Sequence, residues 1–290
     1  LPYAANIQNC STTKRKESID MLETMETTEG TKDAGTGVKG RFIWYDLMTT
    51  DVEAAAAFYG AVVGWTAKDS GVPGQTYTLL SAGPDMVAGL MPIPPHAGGA
   101  APGWMGYMGV DDVDAYTKTV QATGGTVHRE PQDIPGVGRF SVVADPQGAA
   151  FMFFTPKPGS QGTADAPRYT PGRIGWHELH AMDGDKAFAY YAATFGWTKT
   201  SEFDMRQMGI YHIFSMGGPP AGGIMTKLPQ LPVPMWLYYF NVEAIDAAAE
   251  RIRTAGGQVT LGPTEVPDGS WVLQGTDPQG ARFALVAPKR

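Results

Sequence analysis

Glu178 and His180 stand two residues apart in the run Gly172-Arg-Ile-Gly-Trp-His-Glu-Leu-His180. In an extended chain alternate side chains share a face, and residues two apart sit about 7 Å from each other. A carboxylate and an imidazole held that close form a general acid–base pair, each tuning the other's proton affinity. Glu178 reads as the base and His180 as the acid or orienting group. Trp176 shares their face and offers a flat surface to a planar or apolar ligand. His177 has the opposite parity and reads as a hydrogen-bonded interior or edge residue. His212, next to Tyr211 in a later strand, is a candidate third polar group, while His96 and His128 fall near loops. The chain has no nucleophile elbow, Cys–His pair or phosphate loop, which argues against covalent catalysis.

The same segment occurs earlier as Gly40-Arg-Phe-Ile-Trp-Tyr-Asp-Leu47, so Trp44 answers to Trp176 and Asp46 to Glu178 at an offset of 176 − 44 = 132 residues. The offset persists through Gly64-Trp65 and Gly196-Trp197, Trp104 and Trp236, and Asp145-Pro-Gln-Gly148 and Asp277-Pro-Gln-Gly280. A repeat of that length is too large for a solenoid unit and reads as a duplicated domain. The expected units are residues 40–156 and 172–290, joined by a Pro/Gly-rich linker at 157–171. The copies differ where chemistry is concerned. His180 is answered by Met48 and Arg282 by Ala150, so the second copy is the polar one.

These residues need a frame. Residues 41–49 read as a strand, and Asp51 as the N-cap of a helix through about Val63 with Ala54, Phe58 and Val62 on one stripe. Strands follow at Thr76–Ser81 and Met86–Ile93, and another begins at Trp104. Asp111 or Asp112 caps a second helix (Val113–Thr123) that stops at Gly124-Gly125. Strands near Thr126–Arg129, Gly138–Ala144 and Ala150–Thr155 finish the copy. The order strand–helix–strands occurs twice per copy and four times in the chain, which predicts an α+β fold.

Composition narrows the partners. At 290 residues and a net charge of −7, the chain suits two domains and disfavours nucleic acid or an anionic membrane as its main partner. A small-molecule ligand is expected, and a homodimer stays open. One cysteine, Cys10, excludes an internal disulfide and fits a reducing, cytoplasmic setting. Residues 1–39 are polar and without apolar periodicity, so a disordered tail is expected there, with no signal-peptide character and no membrane span elsewhere.

The runs Trp44-Tyr-Asp-Leu47, Asp51, Phe58-Tyr-Gly60 and Gly64-Trp65, then Val110-Asp-Asp-Val-Asp114, Gly124-Gly125 and Asp145-Pro-Gln-Gly148, resemble the vicinal oxygen chelate superfamily. That group holds glyoxalase I, bleomycin-resistance proteins and extradiol dioxygenases. The likeness covers residues 40–288 and is narrowest to two-domain glyoxalase-like members. It implies tandem domains, each of two βαβββ modules forming a curved mixed sheet, a cup with helices on its outer face. It also implies that Leu179 faces a helix. Trp176, Glu178 and His180 then line the second cup, and Trp44, Asp46 and Met48 the first. Tyr107, Tyr239 and Asn241 share the cup face and can hydrogen-bond a carbonyl or hydroxyl. Arg282, also on that face, can clamp a carboxylate.

Enzymes of the superfamily place a divalent metal in the cup. The corresponding positions here hold Trp44, Met105 and Met152, then Trp176, Leu237 and Ala284, with no His, Glu or Asp beside Met91 or Met225 at the fourth. None is a usual ligand for a hard or borderline ion, so the conventional metal site is expected to be absent. The resemblance implies a glyoxalase-like enzyme, a lyase, isomerase or hydrolase acting on a carbonyl or aromatic compound. Two alternatives stay open. One is a non-catalytic protein that sequesters an aromatic metabolite or drug. The other is a metal enzyme with the unconventional ligands Glu178, His180 and His212.

Overall fold

The computed structural model describes residues 38–72, 74–95, 97, 99–157, 166–206 and 209–290. The expected tail up to residue 37, His96 and the middle of the expected linker (158–165) lie outside the described residues. The first copy runs β1 (Phe42–Thr49), α1 (Val52–Val63), β2 (Thr66–Asp69), β3 (Thr78–Ala82), β4 (Asp85–Pro92), β5 (Gly103–Gly109), α2 (Val113–Ala122), β6 (Thr126–Ile134), β7 (Gly138–Ala144) and β8 (Ala150–Pro156). The second repeats it as β9 (Ile174–Ala181), α3 (Gly184–Phe195), β10 (Thr198–Asp204), β11 (Ile210–Ser215), β12 (Pro220–Thr226), β13 (Met235–Asn241), α4 (Ile245–Thr254), β14 (Gln258–Glu265), β15 (Trp271–Thr276) and β16 (Arg282–Ala287).

Each copy makes one eight-stranded mixed sheet. The orders, β2-β3-β4-β1-β5-β8-β7-β6 and β10-β11-β12-β9-β13-β16-β15-β14, are the same path taken twice. Helix starts follow the sequence: Asp51, Asp112 and Asp183 each accept the backbone N–H three residues on, at 2.9, 3.0 and 3.1 Å. Gly64 and Gly196 close α1 and α3 in the left-handed region, at φ 87° and 74°. The edge strand β2 escapes a hydrophobicity reading, because all four of its residues are exposed. No helix among the described residues is long and apolar enough to cross a membrane.

The helix-bearing faces of the two sheets are turned toward each other. They share a single cluster of buried apolar residues that includes Leu47 and Leu179, so the cup faces point outward. The contact has an approximate two-fold character. The Trp65 indole donates to the Gly172 carbonyl and the Trp197 indole to that of Gly40, both at 2.7 Å. Tyr59 donates to Asp277 at 3.3 Å and Tyr191 to Asp145 at 3.0 Å. Where the axis passes, equivalent positions meet. Tyr45 and His177 lie 177 − 45 = 132 residues apart, and the tyrosine hydroxyl sits 2.6 Å from Nε2. Gly106 faces Tyr238 at the same offset, its N–H donating to the hydroxyl at 2.8 Å.

His177 is therefore an interior residue, as its strand parity predicts. Its Nδ1 lies 2.9 Å from the Ala221 carbonyl, which can only accept, so Nδ1 carries the proton and Nε2 accepts from Tyr45. Burial pulls its pKa down to about 4, the bond to Ala221 offsetting only part of that. The unfolded chain protonates this imidazole near 6.5. Its contribution is thus complete above pH 6.5 and is lost as pH falls toward 4, at a cost of about 3 kcal/mol over that window. Denaturant midpoints at pH 7.5 and 4.5 test this. The native chain should lose more stability on acidification than His177→Gln, and equal losses would refute it.

Candidate functional site

Glu178 sits at the centre of the second cup, where β9 pairs with β13 on one side and β12 on the other, opposite Leu237 and Gly223. It is 3 % exposed. Its Oε2 accepts from the Tyr211 hydroxyl at 2.9 Å, and its Oε1 from Tyr239 at 3.0 Å and Gln274 Nε2 at 3.4 Å. His180 Nε2 approaches Oε1 at 2.9 Å. The Trp176 indole braces Tyr211 from behind at 2.9 Å. Burial alone would raise this carboxyl, but the charge of His180 and the hydrogen bonds from His180, Tyr211 and Tyr239 outweigh it and hold the group below its ordinary value. Glu178 is a carboxylate at neutral pH, with both oxygens engaged.

The nitrogen without a partner belongs to His180: the residue is buried, and its Nδ1 meets no hydrogen-bonding group among the described residues. With Nε2–H directed at Glu178, a neutral ring leaves Nδ1 as an acceptor. His180 opens on a cavity of about 20 Å³, room for one water. Leu231, Met235, Leu237, Thr260, Gln274 and Arg282 also line it. Arg282 is exposed and makes no ion pair among the described residues.

The first cup repeats the clamp without the imidazole. Asp46 is 2 % exposed. Its Oδ1 accepts from Trp44 Nε1 at 2.9 Å and Tyr77 at 2.8 Å, and its Oδ2 from Tyr107 at 2.6 Å. Here burial wins over the three donors, and the carboxyl lies above its ordinary value. Burial and the Asp46 charge push both tyrosines up, so both stay neutral donors. A glycine makes each clamp fit. A Cβ at Gly89 would stand 2.1 Å from the Tyr77 hydroxyl oxygen, and one at Gly223 2.0 Å from Tyr211 Cζ. The ring crosses its neighbouring strand only where that strand has no side chain.

Of the residues singled out in the sequence, the structure brings Trp176, Glu178, His180 and Tyr239 together, with Arg282 at the rim, and Trp44, Asp46 and Tyr107 in the other cup. Asn241 does not join them. It lies at the far end of β13, buried, its backbone N–H donating to the Arg173 carbonyl at 2.8 Å, and a Cβ on Gly175 would meet its Oδ1 at 2.2 Å. His212 is also displaced from its expected place. It projects from the opposite face of β11 to Tyr211, stacks on Phe188 of α3 and sits 2.6 Å from Asp185. The ligand set Glu178, His180 and His212 is therefore not assembled. Tyr77, Tyr211 and Gln274 were missed. The two tyrosines stand 211 − 77 = 134 residues apart, so a comparison at fixed offset slides past them.

A model of the glyoxalase/bleomycin resistance protein/dioxygenase superfamily matches residues 41–153 and again 173–285. The chain is 36 % identical over 250 residues to the protein named "Putative glyoxylase CFP32" of Mycobacterium tuberculosis, covering 84 % of this chain and 94 % of that one. It is 34 % identical over 263 residues to the anthracycline biosynthesis protein DauV of a Streptomyces species, covering 84 % and 91 %. In fold it is similar to the Mn(II)-bound glyoxalase of Novosphingobium aromaticivorans, with TM-score 0.62, 16 % identity and 86 % and 82 % of the chains covered. A divalent ion of that kind does not fit the residues of either cup. No group of three or more His, Cys, Asp or Glu among the described residues converges, and Glu178 already has hydrogen-bonding groups at both oxygens.

The glycines give a direct test of the clamp. Gly223→Ala should destabilise the fold by about 1–3 kcal/mol, because the new methyl displaces the Tyr211 ring from Glu178. Adding Tyr211→Ala should remove the clash, so the double variant loses less than the sum of the single losses. Strict additivity in denaturant melts would count against it.

Proposed function

The chain belongs to the glyoxalase/bleomycin resistance protein/dioxygenase superfamily, and from that premise we propose that its second cup performs acid–base chemistry on a small carbonyl or aromatic compound. One observation carries the reading: a buried imidazole that lines a cavity, with Nε2 fixed on a carboxylate and Nδ1 left without a partner among the described residues. His180 takes a proton from a carbon or hydroxyl next to a carbonyl and returns it to the neighbouring atom, or to a leaving group. The products fit an isomerase or lyase. Glu178 holds the ring and balances the imidazolium that forms, as a buried counter-charge should. Arg282 is the cation available to a developing oxyanion or to a substrate carboxylate. The named relatives, a glyoxylase and a protein of anthracycline biosynthesis, agree with a carbonyl or planar aromatic substrate.

The cavity is small, so the substrate enters by displacing side chains that line it, Leu231 and Met235 among them. A binding-only reading is favoured by the first cup, whose Met48, Met105 and Val142 are half-buried where His180 and Leu237 are buried. The two readings belong to different cups and do not compete for the same residues.

Proton–deuterium exchange next to the carbonyl of methylglyoxal hemithioacetals and aryl ketones, followed by NMR, tests the chemistry. His180→Gln should slow exchange by about 10²–10⁴-fold. Glu178→Gln should slow it too, by releasing the ring. Equal exchange by the native chain and His180→Gln would sink the assignment. Arg282→Ala should raise KM for anionic substrates by about 10–100-fold with kcat nearly unchanged. Chelator-treated protein should keep its full rate, and recovery only on adding a divalent metal would contradict the reading.

A further inference from the structure

The first cup holds a buried carboxyl whose partners are all neutral. Trp44, Tyr77 and Tyr107 donate to Asp46, and no Lys, Arg or His among the described residues forms an ion pair with it. Arg129 stands on this cup's wall, where it pairs across the strands with Val142. Its Nε and Nη2 are occupied by Gln132 Oε1 at 2.9 and 2.6 Å, and it lies over the Phe140 ring at 5.0 Å. Taking a carboxylate out of water without a cation is costly. The Asp46 carboxyl is accordingly held above its ordinary value by burial.

The second cup shows what completes this arrangement. At the equivalent station Glu178 keeps its two tyrosines and, in addition, has His180 Nε2 at 2.9 Å from Oε1. The first cup has Met48 in place of that imidazole, and a thioether has no proton to donate. Asp46 is also one methylene shorter than Glu178, so its carboxyl reaches less far from the strand. The side chains on this cup face are soft or flat. Met48 and Met105 are half-buried, Met152 faces Tyr107 across the ladder, and Phe154 stands edge-on to the Tyr107 ring at 6.0 Å. Methionines adapt to an apolar body, and aromatic faces attract a cation.

We propose that the first cup is a binding site for a protonated amine carried on a planar aromatic body, its N–H group taking at Asp46 the place that His180 Nε2 takes at Glu178. The aromatic body lies against Met48, Met105 and Met152. The site is separate from the chemistry assigned to the second cup and does not depend on it.

Calorimetric titration of the full chain with 2-naphthylmethylammonium, and with the uncharged 2-naphthalenemethanol, tests the proposal. The ammonium should saturate at one equivalent per chain and bind at least about tenfold tighter than the alcohol, the value of one charge-assisted hydrogen bond. Asp46→Asn should remove that preference. Met48→His supplies the second cup's own N–H donor and should abolish ammonium binding while circular dichroism stays native. It keeps the test decisive if Asp46→Asn fails to fold. Equal affinity for the two probes, no saturable binding at millimolar concentration, or a preference that survives Met48→His would overturn the proposal. So would binding lost in His180→Gln and retained in Met48→His, which places the amine in the second cup.

Discussion

A carboxylate at the middle of each curved sheet has to be solvated by protein, and much of the architecture around the cups follows from that requirement. An anion removed from water is tolerated only when donors converge on it. In the first cup they come from three directions: an indole two residues along the same strand, a tyrosine from the neighbouring strand on one side, and a tyrosine that reaches over another strand on the other. The last of these needs a glycine in the strand it crosses. A requirement at one group thus fixes residue types well beyond its own strand, and the two tyrosines and the glycine recur in both copies.

Because the clamp is shared, the difference between the copies is easy to isolate. Both anions receive two phenols and lie near an indole. Only the second receives an imidazole and a carboxamide as well. The shift in proton affinity changes sign accordingly, Asp46 moving up and Glu178 down. One scaffold therefore offers an ionised carboxylate backed by an imidazole on one side and a carboxyl with neutral phenol and indole donors alone on the other. The change is local: Met48 against His180, and Val142 against Gln274, on strands whose backbone pairing is otherwise the same.

Most of the fold was legible in the sequence because its determinants are local. Asp51 and Asp112 cap helices, Gly64 and Gly196 end them, and Leu47 and Leu179 alternate with the carboxylates, so parity sorted core from cup. What stayed hidden was of two kinds. Strand β2 buries none of its residues, so no periodicity betrays it. Tyr77 and Tyr211 act at long range, through a ring that crosses a strand, and the second copy carries two more residues before its tyrosine. For His212 the alternation with Tyr211 held the answer: if one faces the cup, the other faces the helix. Asn241 had suitable parity but sits at the wrong end of its strand, a fact about height along the cup that alternation does not encode.

Near the axis between the two sheets, equivalent positions touch each other. In a dimer of identical chains such a position must be its own partner: tyrosine meets tyrosine, or histidine meets histidine. Neither self-pairing offers the one-proton match that Tyr45 gives His177, a hydroxyl that donates to a nitrogen that only accepts. Nor could two tyrosines occupy the place where Tyr238 rests on Gly106, since even a Cβ there would stand 2.6 Å from the hydroxyl oxygen. Joining both halves in one polypeptide releases these sites from self-complementarity. Lock and key can then be written at the same address, and a descendant cut back to a single repeat would have to reinvent its own seam.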